Sequence, residues 1–281
     1  MDEEDIQDEL LNSNNKNNEK CCLFKNKKLF YSLIVLAIII LITIIIVIFI
    51  NLKKKLPEGF VYIDEIDSSI KVNLKYFTSD NFIGERVPHY KINRGIMTKE
   101  AAVALSKAQK KFLDLGYSIV IYDSYRPDSS VKYFVQWMND PNDQKRKKYH
   151  YPYIEKKSDM ANIYIAERSG HSHGSTVDIS LIKNGDKLLE ISQYEERVFN
   201  DKIYPFNNDN TIDCGTSFDL MDPASWAVNN TFNFTKEQFE NRKLIKDIME
   251  SEGFKVLDEE WWHFSLVNEP FPETFFDFDI E

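Results

Sequence analysis

The sequence predicts an α+β fold. Two segments carry the start and stop signals of helices, and each is followed at once by a run of residues typical of a strand. Further strand-like runs occur without the regular alternation of strand and helix that indicates a parallel α/β sheet. We therefore predict one mixed α+β domain, residues 58–281, in which helices and strands follow each other in irregular order.

The two predicted helices are marked by their caps. The first covers residues 99–115, where Thr98 can cap the first turn and a glycine follows the last. The second begins after Thr235, which can form a capping box with Gln238, and it ends before Gly253. Both helices carry apolar residues at helical spacing, so each has one face to bury.

Four runs are rich in β-branched and aromatic residues, which favours strands. They cover residues 117–122, 177–182, 254–257 and 261–267. By contrast, residues 140–153 are strongly charged and poor in aliphatic side chains. We predict that this charged segment is an excursion on the surface.

A long apolar run lies near the N-terminus. Residues 29–50 include 22 consecutive uncharged residues, mostly isoleucine and leucine. As a helix this run would span roughly 33 Å, enough to cross the hydrocarbon core of a bilayer. It is too long for the apolar part of a cleaved signal peptide, so we predict an uncleaved transmembrane signal-anchor helix. A disordered cytoplasmic tail, residues 1–28, would precede it and a linker, residues 51–57, would follow.

The charges beside the apolar run predict its orientation. Five lysines precede the run and three follow it, which favours a cytoplasmic N-terminus and an extracellular or lumenal domain. Sequons beginning at Asn229 and Asn233 agree with that placement. Cys214 is the only cysteine of the large domain, which therefore has no internal disulfide.

The overall charge restricts the class of partner. The formal net charge is −10. Because nucleic-acid binding depends on lysine and arginine side chains that neutralise phosphates, an acidic domain argues against a nucleic-acid partner. A small zwitterionic ligand is compatible with either sign of charge.

Two segments combine histidine with carboxylate residues. His171 precedes Asp178 by seven residues across a glycine turn, and Glu260 precedes His263 by three. Imidazole and carboxylate are zinc ligands, and three protein ligands with one open position are typical of a catalytic zinc site. The set predicts two histidines and one aspartate as ligands and leaves Glu260 to move protons. From spacing alone, His173 competes with His171.

Each candidate residue also has an ordinary structural interpretation. Asp178 could point outward from an edge strand, and Glu260 could belong to a solvated acidic turn. His263 could be a core histidine held by hydrogen bonds, and Arg126 could be a structural ion-pair partner. Only their occurrence together, at the ends of predicted strands, favours a catalytic site.

The motifs in combination resemble those of the VanX-type D-alanyl-D-alanine dipeptidases. The family's Ser-x-His-x-x-Gly-x-Ala-x-Asp pattern is matched by residues 169–178, with threonine in place of the alanine. Its Glu-x-Trp-His pattern is matched by residues 260–263. Tyr125-Arg126-Pro127 and the segment from Gly215 to Asp219 also match, and all occur in family order within residues 58–271.

The resemblance implies a zinc dipeptidase with the fold shared by D,D-carboxypeptidases and hedgehog domains. The implied reaction is hydrolysis of the dipeptide D-Ala-D-Ala, with bacterial cell-wall fragments as its source. One Zn²⁺ per chain would be held by His171, Asp178 and His263, which decides for His171 over His173.

The resemblance also implies the roles of four other residues. Glu260 would be the general base, and Arg126 would stabilise charge on the substrate carbonyl oxygen. Asp219 would pair with the free ammonium of the dipeptide, and Ser169 would contact the substrate. An N-blocked peptide would leave Asp219 without its partner, so we expect such peptides to be rejected.

Two other functions stay open at this point. A carboxypeptidase or endopeptidase of the same fold would act on longer peptidoglycan peptides and would accept N-acylated substrates. A zinc-stabilised binding domain would need no turnover, and therefore neither Glu260 nor Arg126. The presence of both residues favours an enzyme.

Overall fold

The computed structural model describes residues 27, 29–45, 56–161, 163–228 and 231–281. The chain divides into two compact units, residues 1–56 and 57–281. In the first unit, residues 29–45 form helix α1, whose apolar side chains are exposed. Across the described ranges, no helix is both long and apolar enough to span a bilayer. The predicted transmembrane helix 29–50 falls only partly within those ranges. Residues 46–50, the predicted tail apart from Lys27, and most of the predicted linker lie outside the described residues.

The second unit contains a mixed sheet with helices, which confirms the predicted α+β class. In chain order the strands are β1 (Phe60–Tyr62), β2 (Lys71–Val72), β3 (Ile96–Thr98), β4 (Tyr117–Asp123), β5 (Thr176–Lys183), β6 (Gln193–Phe199), β7 (Lys202–Asn208), β8 (Phe254–Leu257) and β9 (Glu260–Leu266). The five-stranded sheet has the order β2-β4-β5-β9-β8. Only β2 and β4 pair in parallel; the other neighbours in this sheet are antiparallel.

The helices of this unit include the two that the capping signals predict. They are α2 (Ile63–Ile66), α3 (Lys99–Asp114), α4 (Asp128–Asn139), α5 (Lys147–His150) and α6 (Lys236–Ser251). The Thr98 side chain accepts a hydrogen bond from the third residue of α3, and Thr235 forms the predicted capping box with Gln238. Helix α3 packs against β4, α6 packs against β8 and β9, and the two helices contact each other.

The central strand β5 brings three polar side chains into register. Its apolar residues Val177 and Ile179 are fully buried, and Asp178 between them points to the other face because side chains alternate along a strand. Asp178 is the direct partner of His263 on β9 and of Asp123 on β4. The sheet therefore places side chains from three strands side by side.

The C-terminal segment packs on the loop that precedes β5. Phe60 stacks on Phe271 with ring centroids 6.0 Å apart, and it makes edge contacts with Phe276 and Phe278. The backbone N–H of Phe276 donates to the carbonyl of Ser172 at 3.0 Å. Residues 271–278 thus fasten the loop that carries His171.

Several parts of the fold differ from the prediction, and helix α4 and strands β1, β2 and β3 are among the elements that were not predicted. The hairpin of β6 and β7 was not predicted, because most of β6 is solvent-exposed and lacks the apolar alternation of a half-buried strand. The prediction that residues 140–153 lie on the surface is wrong at one end. His150 and Tyr151 are buried, since the backbone N–H of Met221 bonds to the His150 carbonyl and holds the segment against the domain.

Candidate active site

His171 is presented by a short 3-10 turn, Gly170–His173. The hydroxyl of Ser169 accepts a hydrogen bond from the backbone N–H of His171 at 3.3 Å and so caps the turn. Gly174 ends it in the left-handed region, at φ +82°, where a Cβ would lie 2.2 Å from the Phe60 ring. Only glycine fits this position, and the tight turn fixes where the His171 ring points.

Three side chains from this turn, β5 and β9 converge on one point. His171 Nε2 lies 3.3 Å from Asp178 Oδ2, and His263 Nδ1 lies 3.2 Å from Asp178 Oδ1. The two imidazole nitrogens are 3.4 Å apart. His171 and Asp178 are buried, and the His263 side chain is 16% exposed. One ligand atom from each residue lies within 4.8 Å of the others, which is the arrangement that could hold a metal ion.

A hydrogen bond from His171 Nδ1 shows which of its ring nitrogens faces the other candidate ligands. Its Nδ1 lies 2.7 Å from the Ser124 carbonyl oxygen. A carbonyl can only accept, so Nδ1 donates this hydrogen bond and Nε2 is the ring nitrogen that faces Asp178. One oxygen of that carboxylate, Oδ1, is buried and has no hydrogen-bond donor. Two imidazole nitrogens and a carboxylate that meet in a buried place, one carboxylate oxygen without a donor, fit a metal ion.

The electrostatics around His263 agree with a cation site. Burial alone would lower the pKa of this histidine, but the carboxylates of Asp178 and Glu260 outweigh burial and raise the pKa to about 10. Burial alone would raise the pKa of Asp178, but His171 and His263 stabilise the carboxylate and hold its pKa below the ordinary value. The group of residues thus favours a positive charge at its centre.

Glu260 lies beside the three converging side chains. Its Oε2 is 3.3 Å from His263 Nδ1, and its side chain is 14% exposed. It also lines a cavity of the domain, so its carboxylate can reach a bound molecule and can accept or donate a proton there. Glu260 is therefore not part of a solvated turn.

Arg126 is held in the site by Asp123, a residue that the sequence analysis did not single out. Its Nε donates to Asp123 Oδ2 at 2.8 Å, and its terminal nitrogen lies 3.8 Å from Asp178 Oδ2. Tyr90 donates to the other oxygen of Asp123 at 2.8 Å. The signal that could have found Asp123 is its place at the end of a strand, three residues before Arg126.

Asp219 also lines the cavity that contains the three converging side chains. Its backbone is left-handed, at φ +58°, and Tyr76 donates a hydrogen bond to its Oδ2 at 3.0 Å. Burial, followed by the negative charges of Asp178 and Glu260, holds the pKa of Asp219 well above its ordinary value. A positively charged ligand group would relieve that repulsion and stabilise the carboxylate.

All the predicted site residues line one cavity of about 300 Å³. They are Ser169, His171, Asp178, Asp219, Glu260, His263 and Arg126. Apolar side chains complete its walls, among them Phe82, Val131 and Leu220. His173 is not among the lining residues: its Nδ1 lies 3.0 Å from Glu269 Oε1 and its ring packs against Phe275. The geometry therefore brings His171, and not His173, to the other candidate ligands.

The sequence profile of the D-ala-D-ala dipeptidase family matches residues 57–192 and 202–281. The chain belongs to this family. The resemblance inferred from the motifs is thereby confirmed. This member of the family departs from the profile at residues 193–201, which form β6 and the turn that leads to β7.

Curated relatives agree with the family match. The chain is 35% identical to a D-alanyl-D-alanine dipeptidase of Enterococcus faecalis over 225 residues, 80% of this chain and 100% of the relative. It is 33% identical to one of Enterococcus faecium over 79% of this chain and 98% of the relative. It is 35% identical to one of Streptomyces coelicolor, again over 79% of this chain and 98% of the relative. The matched region of this family member thus spans nearly the whole of each relative.

Proposed function

We propose that this protein is a zinc-dependent D-alanyl-D-alanine dipeptidase that hydrolyses D-Ala-D-Ala to two molecules of D-alanine. The observation that carries the proposal is the meeting of a ligand set, a carboxylate base and a buried carboxylate for an ammonium group in one cavity. Membership of the dipeptidase family supports the same reaction. A binding domain without turnover would have no use for Glu260 beside the ligands.

Three of the converging side chains are suited to hold the metal ion. His171, Asp178 and His263 would hold one Zn²⁺ through two nitrogens and a carboxylate oxygen, a set that this ion takes in catalytic sites. Bound Zn²⁺ supplies Lewis acidity, which lowers the pKa of water to about 7 and polarises a carbonyl group. The Ser124 carbonyl keeps His171 in the tautomer that leaves Nε2 free for this role.

Glu260 moves the proton in the hydrolysis. It accepts a proton from the water whose oxygen adds to the carbonyl carbon of the first alanine. It then delivers that proton to the peptide nitrogen as the carbon–nitrogen bond breaks, which yields two free amino acids. Arg126, held through Nε by Asp123, lines the cavity and would donate from its guanidinium to the carbonyl oxygen as negative charge develops there.

The ends of the substrate account for specificity. Asp219, oriented by Tyr76, would pair with the substrate ammonium, and Ser169 would border the bound dipeptide at the rim of the His171 turn. An acyl group on the substrate nitrogen removes the positive charge and leaves a buried carboxylate unpaired. This requirement separates a dipeptidase from a carboxypeptidase that acts on longer peptides.

The decisive assay compares two substrates. Release of D-alanine by the zinc-loaded protein would be measured with D-Ala-D-Ala and with N-acetyl-D-Ala-D-Ala. We expect kcat/KM to be at least about a hundredfold higher for the free dipeptide, because only it pairs with Asp219. Equal or faster turnover of the acetylated peptide would favour the carboxypeptidase or endopeptidase. Bound zinc with no turnover of either substrate would favour a binding domain.

We also propose that residues 29–50 anchor the protein in a membrane, with the N-terminus cytoplasmic and the domain of residues 58–281 outside the cell or in a lumen. The support is the uncharged run of 22 residues and the excess of lysines before it. We expect the full chain to remain in the membrane fraction after an alkaline wash, whereas a chain of residues 57–281 is released. Release of the full chain by the same wash would reject the anchor.

A further inference from the structure

The backbone of Asp219 adopts a conformation that needs support. Its φ of +58° lies in the left-handed region, which residues other than glycine seldom occupy without local hydrogen bonds. The Tyr76 hydroxyl holds the carboxylate at 3.0 Å. The carbonyl of Asp219 is held by a different residue, His150, whose Nδ1 lies 3.2 Å from the carbonyl oxygen.

The direction of the His150 hydrogen bond is fixed by its other neighbour. The terminal nitrogen of Arg146 lies 3.1 Å from His150 Nε2. Arginine can only donate, so Nε2 accepts, and Nδ1 carries the proton that it donates to the Asp219 carbonyl. Burial and the Arg146 charge lower the pKa of His150 to about 3, which keeps the ring neutral. The His150 carbonyl also accepts from the backbone N–H of Met221 at 2.8 Å, so His150 makes two hydrogen bonds to the backbone between Asp219 and Met221.

Arg146 connects the two supports of Asp219. Its Nε donates to the Asn81 carbonyl at 2.9 Å, and the Asn81 side chain donates to the carbonyl of Lys75, next to Tyr76. The approach is close, since a Cβ on Gly84 would lie 2.9 Å from Arg146 Cγ. One guanidinium therefore ties the loop that carries Tyr76 to the helix that carries His150.

We propose that His150 is a positioning residue for recognition of the substrate ammonium. His150 does not line the active-site cavity, so it acts on the substrate only through Asp219. By holding the Asp219 backbone in its left-handed conformation, it aims the carboxylate at the position of the free amine. The inference rests on the proposed function, and it assigns to α5 a part in selecting peptides with an unblocked amino terminus.

The test uses two polar substitutions that differ in where they place a donor. In His150→Asn the amide nitrogen is attached to Cγ, as Nδ1 is in histidine, so it can still reach the Asp219 carbonyl. In His150→Gln the amide lies one atom further out, at the position of Nε2, and that contact is lost. For D-Ala-D-Ala we expect the KM of His150→Gln to rise about tenfold, the effect of one lost buried hydrogen bond, with a smaller change in kcat. The KM of His150→Asn should stay within about threefold of the parent.

The bound-zinc content and the thermal unfolding midpoint of both variants separate positioning from general loss of structure. A double-mutant cycle with Asp219→Asn then tests the route of the effect. If His150 acts through Asp219, His150→Gln should change kcat/KM by less than about twofold in the Asp219→Asn background.

Each result has a distinct meaning. Equal KM values for the asparagine and glutamine variants would overturn the role of His150 and leave the dipeptidase intact. The same tenfold loss of kcat/KM in the parent and in the Asp219→Asn background would do so as well. A zinc-loaded parent that does not hydrolyse D-Ala-D-Ala would reject the proposed function, and the inference with it.

Discussion

Substitution Glu260→Gln is expected to lower kcat for D-Ala-D-Ala at least about a hundredfold while the protein keeps its zinc. Glutamine has nearly the shape of glutamate but cannot accept the proton of the attacking water or return it to the leaving nitrogen, and general acid–base catalysis contributes about 10²–10⁴-fold. Glu260 lies 3.3 Å from His263 but is not one of the three converging ligands, so the metal content should not change. Steady-state kinetics and metal analysis of the same preparation measure both quantities.

The neighbouring Glu259 offers a matched control. Glu259→Gln makes the same change of charge at the adjacent residue, which does not line the cavity. We expect kcat of this variant to remain within about twofold of the parent, as for most surface substitutions. A loss of less than tenfold in Glu260→Gln would remove Glu260 from proton transfer. A similar loss in both variants would indicate an effect of charge alone.

Substitution His171→Asn is expected to abolish stoichiometric zinc binding and to lower kcat/KM at least about a thousandfold. Removal of one of three ligands leaves the ion poorly held, and the Lewis acidity it supplies is worth several kcal/mol in the transition state. The measurement is the zinc content after extended dialysis, together with the rate of D-alanine release. A dialysed variant that still holds one zinc per chain would show that His171 is not a ligand.

His173 provides the control, because the same substitution two residues away tests the alternative that spacing left open. His173→Asn removes a ring that contacts Glu269 and Phe275 and does not line the cavity. We expect it to bind one zinc per chain and to keep kcat/KM within about threefold of the parent. Loss of zinc in this variant alone would reverse the assignment of the two histidines.

The site residues could be predicted because the residues around them in the sequence determine the local structure that presents them. The pattern from Ser169 to Asp178 encodes a cap, a glycine turn and a strand, which is the complete local arrangement that presents His171. What spacing could not decide was which histidine faces Asp178. That choice depends on Glu269 and Phe275, almost a hundred residues later, which occupy the side where His173 points.

Helices α3 and α6 carry clear caps, and strands β4, β5, β8 and β9 carry clear apolar patterns, so all six were predicted to within a residue or two of their bounds. Helix α4 and the sheet strand β2 were not predicted. The predictions failed where tertiary contacts override composition. Residues 140–153 are charged, yet His150 is 3% exposed, because Arg146 and the Asp219 carbonyl satisfy both ring nitrogens. The sequence shows only a polar segment in such a case, whereas the Asp219 carbonyl, one of the two partners that allow the burial of His150, lies 69 residues further along the chain.

The clamp of residues 271–278 over the His171 turn has a consequence for how the molecule acquires its activity. His171 and His263 are 92 positions apart, and Tyr125 and Phe278 are 153 apart. Closing loops of such length costs entropy that only the completed tertiary contacts repay. The proposed ligands therefore come together only where the sheet and the C-terminal segment have both formed. On the proposed function, we expect a chain with an unfolded C-terminal segment to lose both metal binding and hydrolysis.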